Sequence, residues 1–168
     1  TGAGKTLTCW KCAKLLITHP EIKKVFFLID RRDLDTQTAD DFNEYEKNSV
    51  DRTDDTKALT EQTKDKNRKL IITTIQKMSH AINDPKYKSI MEEYANEKVV
   101  FLIDECHRSQ FGKMHKDVKG FFKKAQYFGF TGTPIFKENA KKEGEIQYIT
   151  ETFFGKPLHQ YMIKMEFL

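Results

Sequence analysis

Thr1-Gly2-Ala3-Gly4-Lys5-Thr6-Leu7-Thr8 is the stretch on which the fold turns. A glycine-rich turn ending in Gly-Lys-Thr and running into an apolar segment is the second half of a phosphate-binding P-loop, G-x-x-x-x-G-K-[ST]. The chemistry requires these residue types. Gly2 and Gly4 let the backbone bend so that consecutive N–H groups, Ala3 among them, face one anion, and the N-terminus of the following helix adds its dipole. Lys5 has the reach for the β- and γ-phosphates of a nucleotide, and the Thr6 hydroxyl is a ligand for Mg²⁺. Such a loop belongs to an α/β fold with a parallel sheet, and the rest of the chain bears on that expectation.

Downstream, apolar runs and helical patterns alternate. Leu7, Trp10, Ala13, Leu16 and Ile17 recur at helical spacing from Lys5 to about Thr18, and His19-Pro20 ends the pattern. Cys9 and Cys12 lie on this helix as a Cys-x-x-Cys. With only Cys106 to join them, packing explains them better than a metal or redox centre. Val25–Ile29, Leu70–Thr73 and Val99–Ile103 read as strands buried in a parallel sheet, and Gln126–Phe130 as a fourth strand. Helices are predicted from Asp33 or Asp35 to about Tyr45, near Gln76–Ile82 and Lys86–Tyr94, and over Phe111–Phe122. Residues 47–69 are polar apart from Leu59 and predict a surface excursion with one short helix. Alternating elements of this kind predict a sheet with helices on both faces. Each loop with unusual residues follows a strand's carboxyl end, so these loops converge on one edge, where open α/β sheets place ligands.

Two groups on that edge carry chemistry. Asp104-Glu105-Cys106-His107 ends the strand Val99–Ile103. Hydrolysing a nucleoside triphosphate takes a phosphate cradle, a metal, an anchor for the metal and a group that orients water. Gly2–Thr6 supply the cradle, Asp104 is placed to anchor the metal, and Glu105 is the neighbouring carboxylate that can take a proton from water. An Asp-Glu after a strand is often a helix cap, but its pairing with Gly-Lys-Thr favours an ATP-hydrolysing site. Thr131-Gly132-Thr133 follows the strand ending at Phe130. His107 with these short hydroxyl residues fits a switch between nucleotide and a second ligand better than a zinc site. For Arg31 and Arg32, just past Ile29, ion pairing and phosphate contact both fit.

Bulk properties narrow the class. The 168 residues suit one domain with a full core. The 29 basic and 25 acidic residues, net +4, suit an anionic partner without demanding one. No apolar run approaches the ~18 residues of a membrane span. Three cysteines, an odd number, argue against a disulfide framework and for a reducing compartment, with the cytoplasm as default.

Gly-Ala-Gly-Lys-Thr, Asp-Glu-Cys-His and Thr-Gly-Thr-Pro, in that order, resemble motifs I, II and III of superfamily 2 helicases and translocases. The longer strings Phe27–Gln37, Ile72–Lys77, Asp104–Gly112 and Phe128–Phe136 are similar to the motor of type I restriction endonuclease R (HsdR) subunits. The Arg108-Ser109-Gln110-Phe111-Gly112 extension is the most specific of them. The resemblance runs from Thr1 to about Phe136, with a further similarity at Phe154-Gly155 and His159-Gln160-Tyr161.

The resemblance implies that residues 1–168 form the first RecA-like P-loop NTPase lobe of an ATP-driven double-stranded DNA translocase, truncated at its N-terminal edge. The nuclease domain and second RecA-like lobe would lie outside this segment, and specificity and modification (methyltransferase) subunits would be its partners. It implies ATP and Mg²⁺ as cofactors, held by Gly2, Ala3, Gly4, Lys5, Thr6 and Asp104, with Glu105 activating water. His107, Thr131 and Thr133 would couple hydrolysis to DNA movement, and Arg31, Thr73, Thr74 and Gln76 would face DNA. An arginine from the second lobe can be worth ~10³–10⁵ in rate, so the segment alone is expected to be nearly inactive. Other readings are a different superfamily 2 helicase or repair ATPase, and a nucleotide-dependent DNA clamp that does not cycle.

Overall fold

The computed structural model describes residues 5–29, 55–106, 111–135, 142–143, 146–147 and 149–158. The helix predicted between Asp33 and Tyr45 lies outside them. The chain begins with helix α1 (Lys5–Thr18) and strand β1 (Lys24–Ile29). Helix α2 (Thr56–Lys64), strand β2 (Leu70–Thr74), helix α3 (Ile75–Asn83) and helix α4 (Pro85–Glu92) come next. Strand β3 (Val99–Ile103), helix α5 (Phe111–Phe121) and strand β4 (Gln126–Gly129) complete the main body. A two-residue hairpin, β5 (Lys142–Glu143) and β6 (Ile146–Gln147), precedes the short helix α6 (Thr150–Phe154).

The four long strands form one parallel sheet in the order β2-β1-β3-β4. Every residue of β1, β2 and β3 is buried. This is why their sequences read as unbroken apolar runs: with both faces covered, no position can alternate to solvent. Alternation survives as a choice of face. Val25, Phe27, Ile29, Leu70, Ile72, Val100 and Leu102 meet Cys9 and Ala13 of α1. Phe26, Leu28, Ile71, Val99, Phe101 and Ile103 meet α2, α3, α4 and α5 on the other face. Phe101 is the centre of that second layer, with its ring 5.2 Å from Phe26, 5.1 Å from Phe122 and 5.0 Å from Tyr127. Helices thus cover both faces among the described residues, one of them on the first, and four together with Phe154 of α6 on the second.

Caps account for the helix starts on the second face. Asp55 accepts from the Ala58 N–H at 2.7 Å, Thr74 from Lys77 at 3.3 Å and Asp84 from Lys86 at 2.9 Å, with Pro85 in the first turn of α4. Lys24 departs from the apolar rule. Although fully buried, it donates from Nζ to the carbonyls of Asp65 and Arg68, each at 2.6 Å, tying the turn after α2 to the sheet.

The direction of α1 follows from its far end. Lys69, the residue before β2, donates from Nζ to the Ile17 carbonyl at 3.0 Å. The last turn of α1 therefore lies at the edge where the strands begin. At 1.5 Å per residue its 14 residues run about 20 Å, roughly the length of these strands. The first turn, with Lys5 and Thr6, is carried to the edge where the strands end.

Candidate functional site

The strands' carboxyl ends line up in register: Ile29 beside Thr74, Leu28 beside Ile103, and Ile103 beside Gly129. The chain leaving β1 eventually joins β2 on one side, and the chain leaving β3 joins β4 on the other. In open α/β sheets ligands bind in a crevice at such a divergence, and here the divergence falls between β1 and β3. Asp104 stands at this point, its N–H donating to the Leu28 carbonyl at 3.0 Å.

The turn that follows is unusual. Glu105 has φ of 46°, the one positive φ of a non-glycine among the described residues. Its N–H donates to Oδ1 of Asp104 at 2.9 Å. The next N–H, of Cys106, donates to the Phe130 carbonyl at 3.1 Å, and the Phe130 N–H returns to Ile103 at 2.8 Å. An extended chain would send adjacent side chains to opposite faces. The left-handed residue breaks that alternation directly after the buried strand, leaving Asp104 and Glu105 both half-buried at the edge. Backbone strain of this kind persists only where surrounding contacts over-determine it, and it clusters at functional sites.

The other expected residues distribute as follows. Lys5 and Thr6 are the first two residues of α1, on the edge that carries Asp104. Gly2, Ala3, Gly4, Arg31 and His107 lie outside the described residues. Thr131 and Thr133 sit in the loop after β4, where the Thr131 hydroxyl accepts from the Thr133 N–H at 3.0 Å. Thr73 and Thr74 are buried at the end of β2, and the Thr74 hydroxyl is spent on capping α3. Gln76, in the first turn of α3, is exposed. The edge therefore gathers Asp104, Glu105, the Thr131–Thr133 loop and the start of α1, with Thr74 and Gln76 two strands away.

For a metal, the donor set has the character Mg²⁺ favours. Among the described residues no three His, Cys, Asp or Glu side chains form a cage. Mg²⁺ ordinarily binds through one or two carboxylates, with phosphate oxygens and water completing its shell. Asp104 at the mouth of the crevice fits that role. The neighbourhood also holds residues to which motif reading gave no role: Gly129, Thr150 and Phe154. A lone glycine within a strand pattern, as in Phe128-Gly129-Phe130, is the available signal for close approach of another segment.

A family model described as SWI2/SNF2 ATPase matches residues 1–166. The chain is 53% identical over 164 residues to the type I restriction enzyme SsaAORF53P endonuclease subunit of Staphylococcus saprophyticus, a match covering 98% of the chain and 17% of that relative. The chain thus spans 17% of the length of this curated relative. Among solved structures it resembles the Pyrococcus furiosus Hef helicase domain, with TM-score 0.59 and 24% identity over 83% of the chain and 30% of that structure. It also resembles T4 UvsW, with TM-score 0.55 and 22% identity over 79% of the chain and 25% of that structure. At these identities the two structures speak to the fold alone, a parallel sheet with helices on both faces. No helix among the described residues is long and apolar enough to cross a membrane.

Proposed function

The chain belongs to the SWI2/SNF2 ATPase family, and on that premise we propose that it is the first RecA-like lobe of a double-stranded DNA translocase which binds and hydrolyses MgATP. The identity with a type I restriction endonuclease subunit supports a motor serving a restriction enzyme. In that reading the second lobe and the nuclease lie elsewhere in a longer polypeptide, and specificity and modification subunits are the partners. The observation that carries the proposal is the stitched left-handed turn at Asp104–Glu105, on the sheet edge toward which α1 points its first turn.

The roles follow from chemistry. Backbone N–H groups of Gly2–Gly4 and the N-terminus of α1 bind the polyphosphate, and Lys5 neutralises its charge. Thr6 and Asp104 are the residues for Mg²⁺, which when bound neutralises charge across the β- and γ-phosphates. Glu105 orients a water molecule and accepts its proton, and its fixed backbone means that little reorganisation is needed at that moment. His107, Thr131 and Thr133 exchange hydrogen bonds as the γ-phosphate leaves. For DNA, Arg31 and Gln76 supply contacts, and Thr74, buried beside Thr73, caps the start of α3 that presents Gln76.

The test is Glu105→Gln in the complete restriction subunit with its partner subunits. The substitution keeps the side chain's shape and removes the base. Steady-state ATP hydrolysis should fall to background while MgATP binding persists, and displacement of a triplex-forming strand from duplex DNA should stop. Hydrolysis at an unchanged rate rules out Glu105 as the base. ATP binding without turnover in the unsubstituted protein favours the non-cycling clamp instead.

A further inference from the structure

Two segments close on a residue that has no side chain. Gly129 is the last residue of β4, and a Cβ built on it would stand 2.7 Å from the Cys106 Sγ, 3.0 Å from Cδ1 of Phe154 and 3.1 Å from its Cε1. Its φ is not positive, so alanine is opposed here by contact and not by backbone conformation. The thiol comes from the Asp104–Cys106 turn and the ring from α6. Phe154 in turn stacks on His115 of α5 with ring centroids 5.1 Å apart and planes 17° from parallel, and His115 meets the Tyr127 ring of β4 edge-on at 5.2 Å.

Hydrogen bonds reinforce the same junction. The Thr131–Thr133 loop is fastened at its start, where the Phe130 carbonyl holds the Cys106 N–H, and at its end, where Ile135 and Thr150 bond twice. The Thr150 N–H donates to the Ile135 carbonyl at 3.0 Å, and the Ile135 N–H donates to the Thr150 hydroxyl at 2.9 Å. The left-handed turn, the hydroxyl loop and α6 are therefore one packed unit, with Gly129 as the space that lets them close.

We propose that Gly129 and Phe154 are positioning residues for hydrolysis: they seat Cys106, and through it fix Glu105 in the left-handed conformation from which it activates water. The proposal rests on the reading of Glu105 as the base. The mechanism is local. Cysteine has a single side-chain torsion, and the Cys106 N–H is held by Phe130. A methyl group at 129 is relieved by turning the Cys106 thiol to another rotamer, by moving the ring of Phe154 or by moving the turn; the last displaces the adjacent Glu105, and it is the route the positioning role requires.

The experiment uses the complete restriction subunit with duplex DNA and MgATP. Gly129→Ala should lower kcat on the order of 10²-fold, the loss expected when a catalytic group is misplaced by about 1 Å, while KM for ATP stays within about threefold, since the P-loop is untouched. Alkylation of the Cys106 thiol, followed by peptide mass spectrometry, should quicken as it leaves its buried seat. Adding Cys106→Ala removes the 2.7 Å contact, so the double variant should recover most of the kcat of Cys106→Ala alone. Urea midpoints measured in parallel separate this from a loss of stability, because kcat is compared only between variants that are fully folded under the assay conditions. Should Gly129→Ala fail to fold, Phe154→Leu asks the same question by loosening the ring, and a lowered kcat at constant KM is again expected. Unchanged kcat in a folded variant, or no recovery in the double variant, overturns the positioning role. Absence of hydrolysis from the unsubstituted subunit overturns the functional reading itself, with alkylation still reporting whether the contact exists.

Discussion

Replacing Glu105 by glycine should make the protein more stable while destroying its activity. A side-chain-bearing residue in the left-handed region costs about 1–2 kcal/mol relative to ordinary backbone, and Glu105 occupies that region with φ of 46°. Glycine lifts the cost but enlarges the freedom of the unfolded chain, returning about 0.4–1 kcal/mol. The net gain is about 0.5–1 kcal/mol. At roughly 2–4 °C per kcal/mol for a chain of this size, Tm should rise by roughly 1–4 °C. Glu105→Ala is the control, because it removes the carboxylate and keeps the Cβ that makes the conformation costly. Thermal unfolding followed by circular dichroism at neutral pH would compare the two with the wild type and with Glu105→Gln. The expected order places glycine above alanine, with glutamine level with the wild type, and none of the three hydrolysing ATP. Glycine melting at or below alanine would mean that the turn carries no backbone strain, and the account of how Glu105 is presented would have to be abandoned.

Two further outcomes concern the frame around the site. His115 is buried between Tyr127 and Phe154, and burial, with Lys119 adding to it, holds its pKa down to about 4 from an ordinary 6.5. The unfolded chain therefore binds more protons between those values. The stabilisation is complete above pH 6.5 and is lost as pH falls through about 4, a loss of about 3 kcal/mol. His115→Phe should flatten the urea midpoint across that window, and an unaltered acid slope would count against it. Lys24→Met should cost about 2 kcal/mol through the loss of two charge-assisted hydrogen bonds, seen as a lower urea midpoint at constant m. An unmoved midpoint would show the tether to be idle.

The sheet was legible because three of its strands are buried on both faces, and such strands admit only apolar residues and the occasional threonine. Val99–Ile103 is found where it was expected, and β1 differs only by the addition of Lys24. That residue had no visible signal, since a buried lysine is tolerated only when carbonyls from distant sequence reach it. Helix α2 was half legible for a related reason. It buries Leu59, Thr60 and Thr63, and the threonines satisfy their hydroxyls on Lys57 and Leu59 carbonyls within the helix, so its inner face looks polar. Strand β4 stops at Gly129, one residue short of the expectation. Phe130 instead donates its N–H to Ile103 at the end of β3 and accepts at its carbonyl from Cys106 in the turn. At the site, Asp104 and Glu105 could be read from their place after an apolar run. The left-handed backbone could not, because it is imposed by Leu28, Phe130 and the space at Gly129, which meet only in three dimensions.

That imposition is uneven, and the unevenness sets the direction in which the turn can give. On one side Asp104 is bonded to Leu28 in β1, a strand with neighbours on both sides and all six residues buried. On the other side Cys106 is bonded to Phe130, which follows β4, the outermost strand on that side among the described residues and the one whose residues are partly or largely exposed. A close-packed interior resists displacement, and local opening is cheapest where few buried contacts must be broken. On the proposed function, a change in the turn on phosphate release would therefore be taken up toward Phe130, the Thr131–Thr133 loop and α6, and not toward the centre of the sheet. The doubly bonded Ile135–Thr150 pair would then carry that movement into the chain beyond the loop, so in that reading the motion leaves the site along the exposed edge of β4.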